Sequence, residues 1–71
     1  METLRGYVDK ITFRNEENGY TVLTLNASGE EECLVGTMPP LSEGEFIEAD
    51  GERTLLFLQL VYVDAQQVPA S

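Results

Sequence analysis

Two runs of β-prone residues joined by a polar turn constrain the fold of this chain more than any other feature. Residues 4–25 read LRGYVDKITFRNEENGYTVLTL, with aromatic and β-branched side chains on both sides of a turn that ends in Asn18 and Gly19. Asn-Gly is typical of hairpins because both residues adopt positive φ at little cost, so the chain can reverse with the twist that paired strands need. The stretch therefore predicts a β-hairpin, to which the rest of the chain adds strands.

The apolar residues of the first strand change parity along its length: Leu4, Gly6 and Val8 come first, then Ile11 and Phe13. Neighbouring residues of a strand point to opposite faces, so one apolar face stays continuous only if the strand bends or carries a bulge near Asp9 and Lys10. A strand bent in this way can pair with strands of two sheets.

Three more strands are predicted after the hairpin, at residues 31–36, 45–49 and 55–63. The segment TMPPLSEG, which ends in Gly44, excludes a long helix between them. Asp-Gly at Gly51 is predicted to form the turn before the last strand. We therefore expect an all-β barrel or sandwich, because closing a small sheet removes edges that would otherwise stay unpaired.

The last predicted strand is apolar on both faces. One face carries Leu56, Leu58, Leu60 and Tyr62, and the other carries Leu55, Phe57, Val61 and Val63. A small barrel buries only one face, so a loop, a second copy of the chain or a following domain must cover the other. We expect residues 1–65 to form the barrel domain and residues 66–71, QQVPAS, to form a linker or frayed end.

Size and composition predict a small cytoplasmic domain. A chain of 71 residues is near the lower limit for folding alone. Cys33 has no partner for an internal disulfide, which favours a reducing compartment. Met1 is followed by Glu2 and by no apolar run, so no signal peptide is expected, and no stretch approaches the roughly 20 apolar residues of a membrane-spanning helix.

Charge is the clearest compositional signal. The chain has 13 acidic residues, 4 basic residues and no histidine, which gives a formal net charge of -9. Phosphate backbones are bound mainly by Lys and Arg, so this balance predicts a soluble acidic surface that binds nucleic acid poorly.

The basic residues near the N-terminus nevertheless alternate with aromatic side chains. The candidates for contact with single-stranded nucleic acid are Arg5, Tyr7, Lys10, Phe13 and Arg14. Rings of this kind stack on bases and cations attract phosphates. Tyr7 and Phe13 also fit a purely structural role as core or cross-strand packing residues, and the sequence leaves both interpretations open.

Catalytic and metal-binding motifs are missing from the sequence. Without histidine and with a single cysteine, the chain has no zinc set and no Ser-His or Cys-His nucleophile pair. Its glycines are dispersed and form no phosphate loop. We therefore expect no metal, cofactor or catalytic residue, and a small acidic enzyme is kept only as a third hypothesis.

Two blocks of sequence carry a resemblance to a known family: GYVDKITFRNEENGYTVL at residues 6–23 and LVGTMPPLSEGEFIEADGE at residues 34–52. They resemble the N-terminal domain of RecD-like DNA helicases, the family of the exodeoxyribonuclease V alpha subunit. One departure follows the second block. The resemblance implies a tryptophan and a longer basic and aromatic loop there, whereas this chain has RTLL at residues 53–56.

The resemblance implies a five-stranded OB-like barrel at the start of a longer protein that hydrolyses ATP and moves 5′ to 3′ along single-stranded DNA. The motor and its phosphate loop would lie beyond Ser71, so no catalytic residue or cofactor is assigned to this chain. The implied role is a non-catalytic one, in packing or interaction with the remaining helicase domains and in weak contact with single-stranded DNA. The alternative is a structural module without a nucleic-acid role that associates with its own copy through residues 55–63.

Overall fold

Five strands close into a barrel in the computed structural model, which describes residues 1–65. In chain order they are β1 (Glu2–Arg14), β2 (Tyr20–Ala27), β3 (Glu30–Thr37), β4 (Phe46–Arg53) and β5 (Leu58–Ala65). The order around the barrel is β1-β2-β3-β5-β4, and all neighbours are antiparallel except β3 and β5, which are parallel. The predicted all-β, five-stranded barrel is confirmed. The described part of the chain contains no helix that is long and apolar enough to cross a membrane.

β1 is shared between two neighbouring strands because it bends. Its residues 2–7 pair with β4 and its residues 7–14 pair with β2. The pairing with β2 shifts register twice, leaving first Asp9 and then Thr12 without an opposite residue. The first shift is the bulge that the change of parity predicts, and that prediction is confirmed.

The second bulge, at Thr12, was not predicted, and it changes the direction of the side chains that follow. Ile11 packs against the core, as expected. Because the extra residue shifts the alternation by one position, Phe13 turns outward and is 51% exposed, whereas Arg14 turns towards the barrel. The expectation that Phe13 shares the inner face with Ile11 is therefore wrong.

Side chains from every strand fill the interior, and one loop residue closes it at one end. The buried core residues are Val8, Leu23, Leu25, Leu34, Met38, Ile47, Ala49 and Leu58. Each large aliphatic side chain removed from water in this way contributes about 1.5–3 kcal/mol to the free energy of unfolding. The core is therefore the main source of stability in so small a domain.

β5 starts later than predicted and carries a bulge of its own. Residues 54–57 form a turn, so Leu55 and Leu56 lie in that turn and not in the strand. Between its pairs with Asp50 and Gly51 of β4, β5 skips Val61. The bulge explains why apolar residues occupy both even and odd positions of β5. The inward-facing positions change parity at the skipped residue. The interpretation of two regular apolar faces is corrected accordingly.

The bulge divides the apolar residues of β5 between the two surfaces of the barrel. Leu58 is fully buried, and Leu60 and Val63 pack against the core. Val61 and Tyr62 face outward and are 62% and 59% exposed. Among residues 58–64, Val61 and Tyr62 are thus the large apolar side chains that remain exposed. The predicted linker at residues 66–71 lies outside the described residues.

The predicted turn residues fall into two groups. Gly19 and Gly44 have φ angles of 78° and 89° and lie at the end of the β1–β2 turn and in the β3–β4 connection. Asn18 lies in the β1–β2 turn, where its Oδ1 accepts a hydrogen bond from the backbone N–H of Tyr20 at 2.9 Å. Gly19 and Gly44 therefore adopt the left-handed backbone conformation that glycine reaches without strain, whereas Asn18 does not have the positive φ expected of it.

Gly51 is not a turn residue, which corrects the prediction made from Asp-Gly. β4 runs through Gly51 to Arg53 instead of ending at Ala49. A Cβ atom at Gly51 would lie 2.4 Å from the carbonyl oxygen of Gln59 on β5. The glycine therefore allows two backbones to approach closely beside the β5 bulge, and it does not reverse the chain.

Replacement of Gly6 by alanine is expected to lower the free energy of unfolding by about 3 kcal/mol, the upper end of what overpacking costs. The reason is that the new Cβ would lie 2.1 Å from the carbonyl oxygen of Asn26, a backbone atom that cannot move without disturbing β2. Urea denaturation measures the change. The matched control is Thr12→Ala at the exposed bulge, expected to change stability by less than about 0.5 kcal/mol. Equal losses in the two variants would contradict the steric explanation.

Candidate nucleic-acid interface

The two bulges of β1 place three of the candidate contact residues on one outer face. Tyr7, Lys10 and Phe13 lie opposite outward residues of β2, and Tyr20 extends the same face at the start of that strand. Without the bulges, residues three apart would alternate between inside and outside. We call Tyr7, Lys10, Phe13 and Tyr20 the ring face.

The aromatic side chains of the ring face pack in pairs and remain accessible. Phe13 and Tyr20 meet edge to face with ring centroids 6.3 Å apart, and Tyr7 meets Phe46 of β4 in the same way at 5.1 Å. Tyr7 and Phe13 are nevertheless 52% and 51% exposed. Cross-strand packing and an exposed stacking surface, the two interpretations left open by the sequence, therefore coexist in the same rings.

Lys10 is the one cation that lies on the ring face. Its side chain is exposed, and it forms no ion pair within residues 1–65. Arg5 also points outward but on the β4 side of β1, where its guanidinium pairs with the carboxylate of Glu48. Of the three predicted cationic contacts, Lys10 alone is exposed, forms no ion pair within residues 1–65 and has aromatic neighbours on the same face of its strand.

Arg14 lies at the end of the barrel and not on the ring face. Its side chain is only 15% exposed. One terminal nitrogen donates to the hydroxyl of Thr21 at 2.9 Å and to the carbonyl oxygens of Met38 and Pro39 at 3.2 and 3.4 Å, while Nε contacts Glu16 at 3.1 Å. These contacts join β1, β2 and the β3–β4 connection. These contacts give Arg14 a structural role, and a phosphate contact by Arg14 stays a prediction.

A second arginine closes the opposite end of the barrel. Arg53 donates from Nε to Glu2 at 2.8 Å and from a terminal nitrogen to Glu32 at 2.9 Å, and its other terminal nitrogen also donates to Glu2. These hydrogen bonds link β4 to the starts of β1 and β3. Sequence reasoning missed this cluster, because its members lie 51 and 21 positions apart and no local pattern connects them.

Two members of the Arg53 cluster, Glu2 and Arg53, have shifted pKa values. Hydrogen bonding to Arg53 lowers the pKa of Glu2 below its ordinary value of 4.5, and the positive charges of Arg53 and the N-terminus act in the same direction. The same hydrogen bonds, to Glu2 and Glu32, raise the pKa of Arg53. The shifted pKa values of Glu2 and Arg53 therefore keep both groups ionised at neutral pH.

The surroundings of the ring face are acidic. Asp9 precedes Lys10, the β1–β2 turn carries Glu16 and Glu17, and a carboxylate oxygen of Glu43 lies 3.4 Å from the backbone nitrogen of Ile11. Against this background a single lysine provides weak attraction for phosphate. The chemistry available on this face is stacking on exposed rings, assisted by one cation. Across residues 1–65, no three His, Cys, Asp or Glu side chains are arranged to hold a metal ion.

Arg14→Met is expected to lower the free energy of unfolding by about 2 kcal/mol, because it removes charge-assisted hydrogen bonds at a mostly buried position while keeping the aliphatic volume. The exposed pair formed by Arg5 provides the control, since Arg5→Met should cost less than about 1 kcal/mol. Chemical denaturation at neutral pH measures both variants. A loss for Arg14→Met as small as that for Arg5→Met would contradict the structural role.

The Arg53 cluster predicts a specific pH dependence. Because the folded-state pKa of Glu2 is lowered, its contribution to stability is present above pH 4.5 and is lost as the pH falls through the lowered pKa. NMR titration of the Glu2 carboxyl should therefore give a pKa below 4.5 in the wild-type chain and near 4.5 in Arg53→Met. The stability difference between the two proteins should shrink on acidification. An unchanged Glu2 pKa in the variant would show that Arg53 does not perturb it.

One of three comparisons with known proteins gives a match, and it agrees with this architecture. No curated protein and no solved structure matches the chain. The family model for the OB-fold domain of ATP-dependent DNA helicase YrrC matches residues 1–55, which is most of the chain. That match supports the expected resemblance to an N-terminal OB-like domain of RecD-like helicases, and the closed five-stranded barrel has the architecture that an OB fold requires. The chain therefore belongs to the family of helicase OB-fold domains described as the OB-fold domain of ATP-dependent DNA helicase YrrC.

Proposed function

We propose that this chain is the non-catalytic N-terminal accessory domain of a RecD-like ATP-dependent helicase that moves 5′ to 3′ on DNA, in the class of the exodeoxyribonuclease V alpha subunit. Its role is packing against or interaction with the remaining helicase domains, together with weak contact with single-stranded DNA. The observation that carries the proposal is the match of residues 1–55 to a helicase OB-fold domain. A role in DNA repair and a cytoplasmic location form part of the same proposal.

The chemistry of the chain supports a non-catalytic role. It has no histidine, its one cysteine is partly buried on β3, and it lacks a phosphate loop. ATP hydrolysis needs a loop that cradles phosphates and a coordinated magnesium ion, so a motor would have to be supplied by other domains. An accessory barrel attached to such a motor needs only surfaces for contact.

The exposed rings of the ring face favour contact with DNA, but its single lysine provides little attraction for phosphate, so the expected affinity is low. OB folds bind oligonucleotides on the face of their second and third strands and with the loops that join strands one to two and four to five. The ring face overlaps that region in part, because it lies on β1 and the start of β2, next to the β1–β2 turn. Each base stacked on an aromatic side chain contributes about 1–3 kcal/mol. With one lysine on the face and a chain charge of -9, we expect a dissociation constant on the order of 10⁻⁴ M or weaker.

Binding of fluorescently labelled oligothymidylate, followed by anisotropy at a series of salt concentrations, tests the DNA contact. A single phosphate contact from Lys10 predicts that the logarithm of the association constant falls with the logarithm of salt concentration with a slope of about -0.7. In Lys10→Ala the slope should approach zero. Phe13→Ala should weaken binding about tenfold through lost stacking while leaving the slope unchanged.

Arg5→Ala is the matched control, because it removes a cation that already pairs with Glu48 and lies away from the ring face. It should change neither the affinity beyond about twofold nor the salt slope. Denaturation midpoints confirm that each variant is folded. Binding that is undetectable at high protein concentration, or a Lys10→Ala variant with an unchanged slope, would remove the DNA contact from the proposed function.

A further inference from the structure

The turn between β4 and β5 holds two leucines in solvent. Leu55 is 98% exposed and Leu56 is 85% exposed. We call this pair the leucine tip. It is the most exposed aliphatic surface among the described residues, and it lies at the barrel end where β1 begins, away from Phe13 and Tyr20.

Hydrogen bonds between the two flanking residues fix the geometry of the tip. The backbone N–H and the hydroxyl of Thr54 both donate to the carbonyl oxygen of Phe57 at 2.8 Å, and the Phe57 N–H lies 3.1 Å from the Thr54 hydroxyl oxygen. Turns are usually closed by Gly, Asn, Asp, Ser or Pro, whose side chains suit water. Here a closed turn presents two adjacent apolar side chains that pack against nothing in the described structure.

Carboxylates border the leucine tip. Glu52 is exposed just before the turn and lies 3.9 Å from the N-terminal ammonium of Met1, and Arg53 joins Glu2 and Glu32 to the base of the turn. The carboxylates of Glu2, Glu32 and Glu52 are offset by two cations, the Arg53 guanidinium and the N-terminal ammonium, so one negative charge of the border remains uncompensated. An apolar centre with an acidic border is complementary to an apolar depression or ridge bordered by Lys and Arg.

We propose that the leucine tip is a docking site for a protein surface whose apolar centre is bordered by Lys and Arg side chains. A second copy of the chain fits poorly, because each copy carries a charge of -9 and would bring an acidic border against another acidic border. Nucleic acid and anionic lipid are disfavoured for the same reason. The site is separate from the ring face, and this inference does not depend on the proposed DNA contact.

Synthetic helical peptides test both parts of the proposed complementarity. The first peptide has a leucine face bordered by lysines, the second replaces the leucines with glutamine at the same charge, and the third replaces the lysines with glutamate. Titration calorimetry with the 71-residue chain should detect binding of the lysine–leucine peptide only. Its affinity should fall at least tenfold in the double variant Leu55→Ser/Leu56→Ser, because burial of one leucine is worth about a decade in affinity or more.

Val61→Ser is the matched control, since Val61 is an exposed aliphatic residue of β5 that lies outside the tip. Its affinity for the lysine–leucine peptide should stay within about twofold of the wild type. Both variants alter exposed side chains, and equal denaturation midpoints verify that the barrel is intact. Glu52→Gln should weaken the salt dependence of binding without abolishing it.

Three results would overturn the proposal. Equal binding of the lysine–leucine and lysine–glutamine peptides would show that charge alone attracts them. Equal affinity of the tip variant and the Val61→Ser control would place binding elsewhere on the barrel. Sedimentation velocity that reveals a dimer dissociated by Leu55→Ser/Leu56→Ser would identify a second copy of the chain as the occupant.

Discussion

The close contact of β1 with two neighbouring strands is the constraint on which the rest of the barrel depends. β1 pairs with β4 through its first half and with β2 through its second half, and closure of the barrel around both pairings requires the strand to bend. Bulges at Asp9 and Thr12 provide the bend, and Gly6 allows the backbone of β2 to approach. The same two bulges keep Val8 and Ile11 facing the core while they align the ring face outside. The two bulges of β1 thus determine which of its side chains fill the core and which form the ring face.

The sequence reveals a bulge where it interrupts the alternation of apolar residues and misses a bulge where the apolar pattern continues. A change of parity between Val8 and Ile11 exposes the first bulge. The second bulge is hidden, because Phe13 is apolar and continues the expected pattern although it faces solvent. Leu55 and Leu56 were predicted to belong to β5 but lie in the turn before it. Apolar character alone does not distinguish a buried strand position from an exposed turn.

Glycine and arginine show a second limit of sequence reasoning. Asp-Gly is a strong turn signal, but at Gly51 the missing Cβ allows β4 and β5 to approach closely. The sequence does not show that close approach before the strands are paired in the fold. Arg14 and Arg53 both resemble surface cations in sequence, whereas the structure uses them at opposite ends of the barrel. Their partners come from distant segments, so only the folded arrangement leaves Lys10 as the exposed cation of the ring face.

The pairing between β3 and β5 divides the barrel unevenly. Two register pairs, Leu34 with Leu58 and Val35 with Gln59, join these strands, whereas β1 and β4 are joined along six. The barrel can accordingly be divided into a three-stranded sheet, β1-β2-β3, and a β4–β5 hairpin. The long β1–β4 pairing joins them on one side and the short β3–β5 pairing on the other. Because local opening begins where few backbone pairs hold the structure, we expect the β3–β5 contact to separate before the β1–β4 contact.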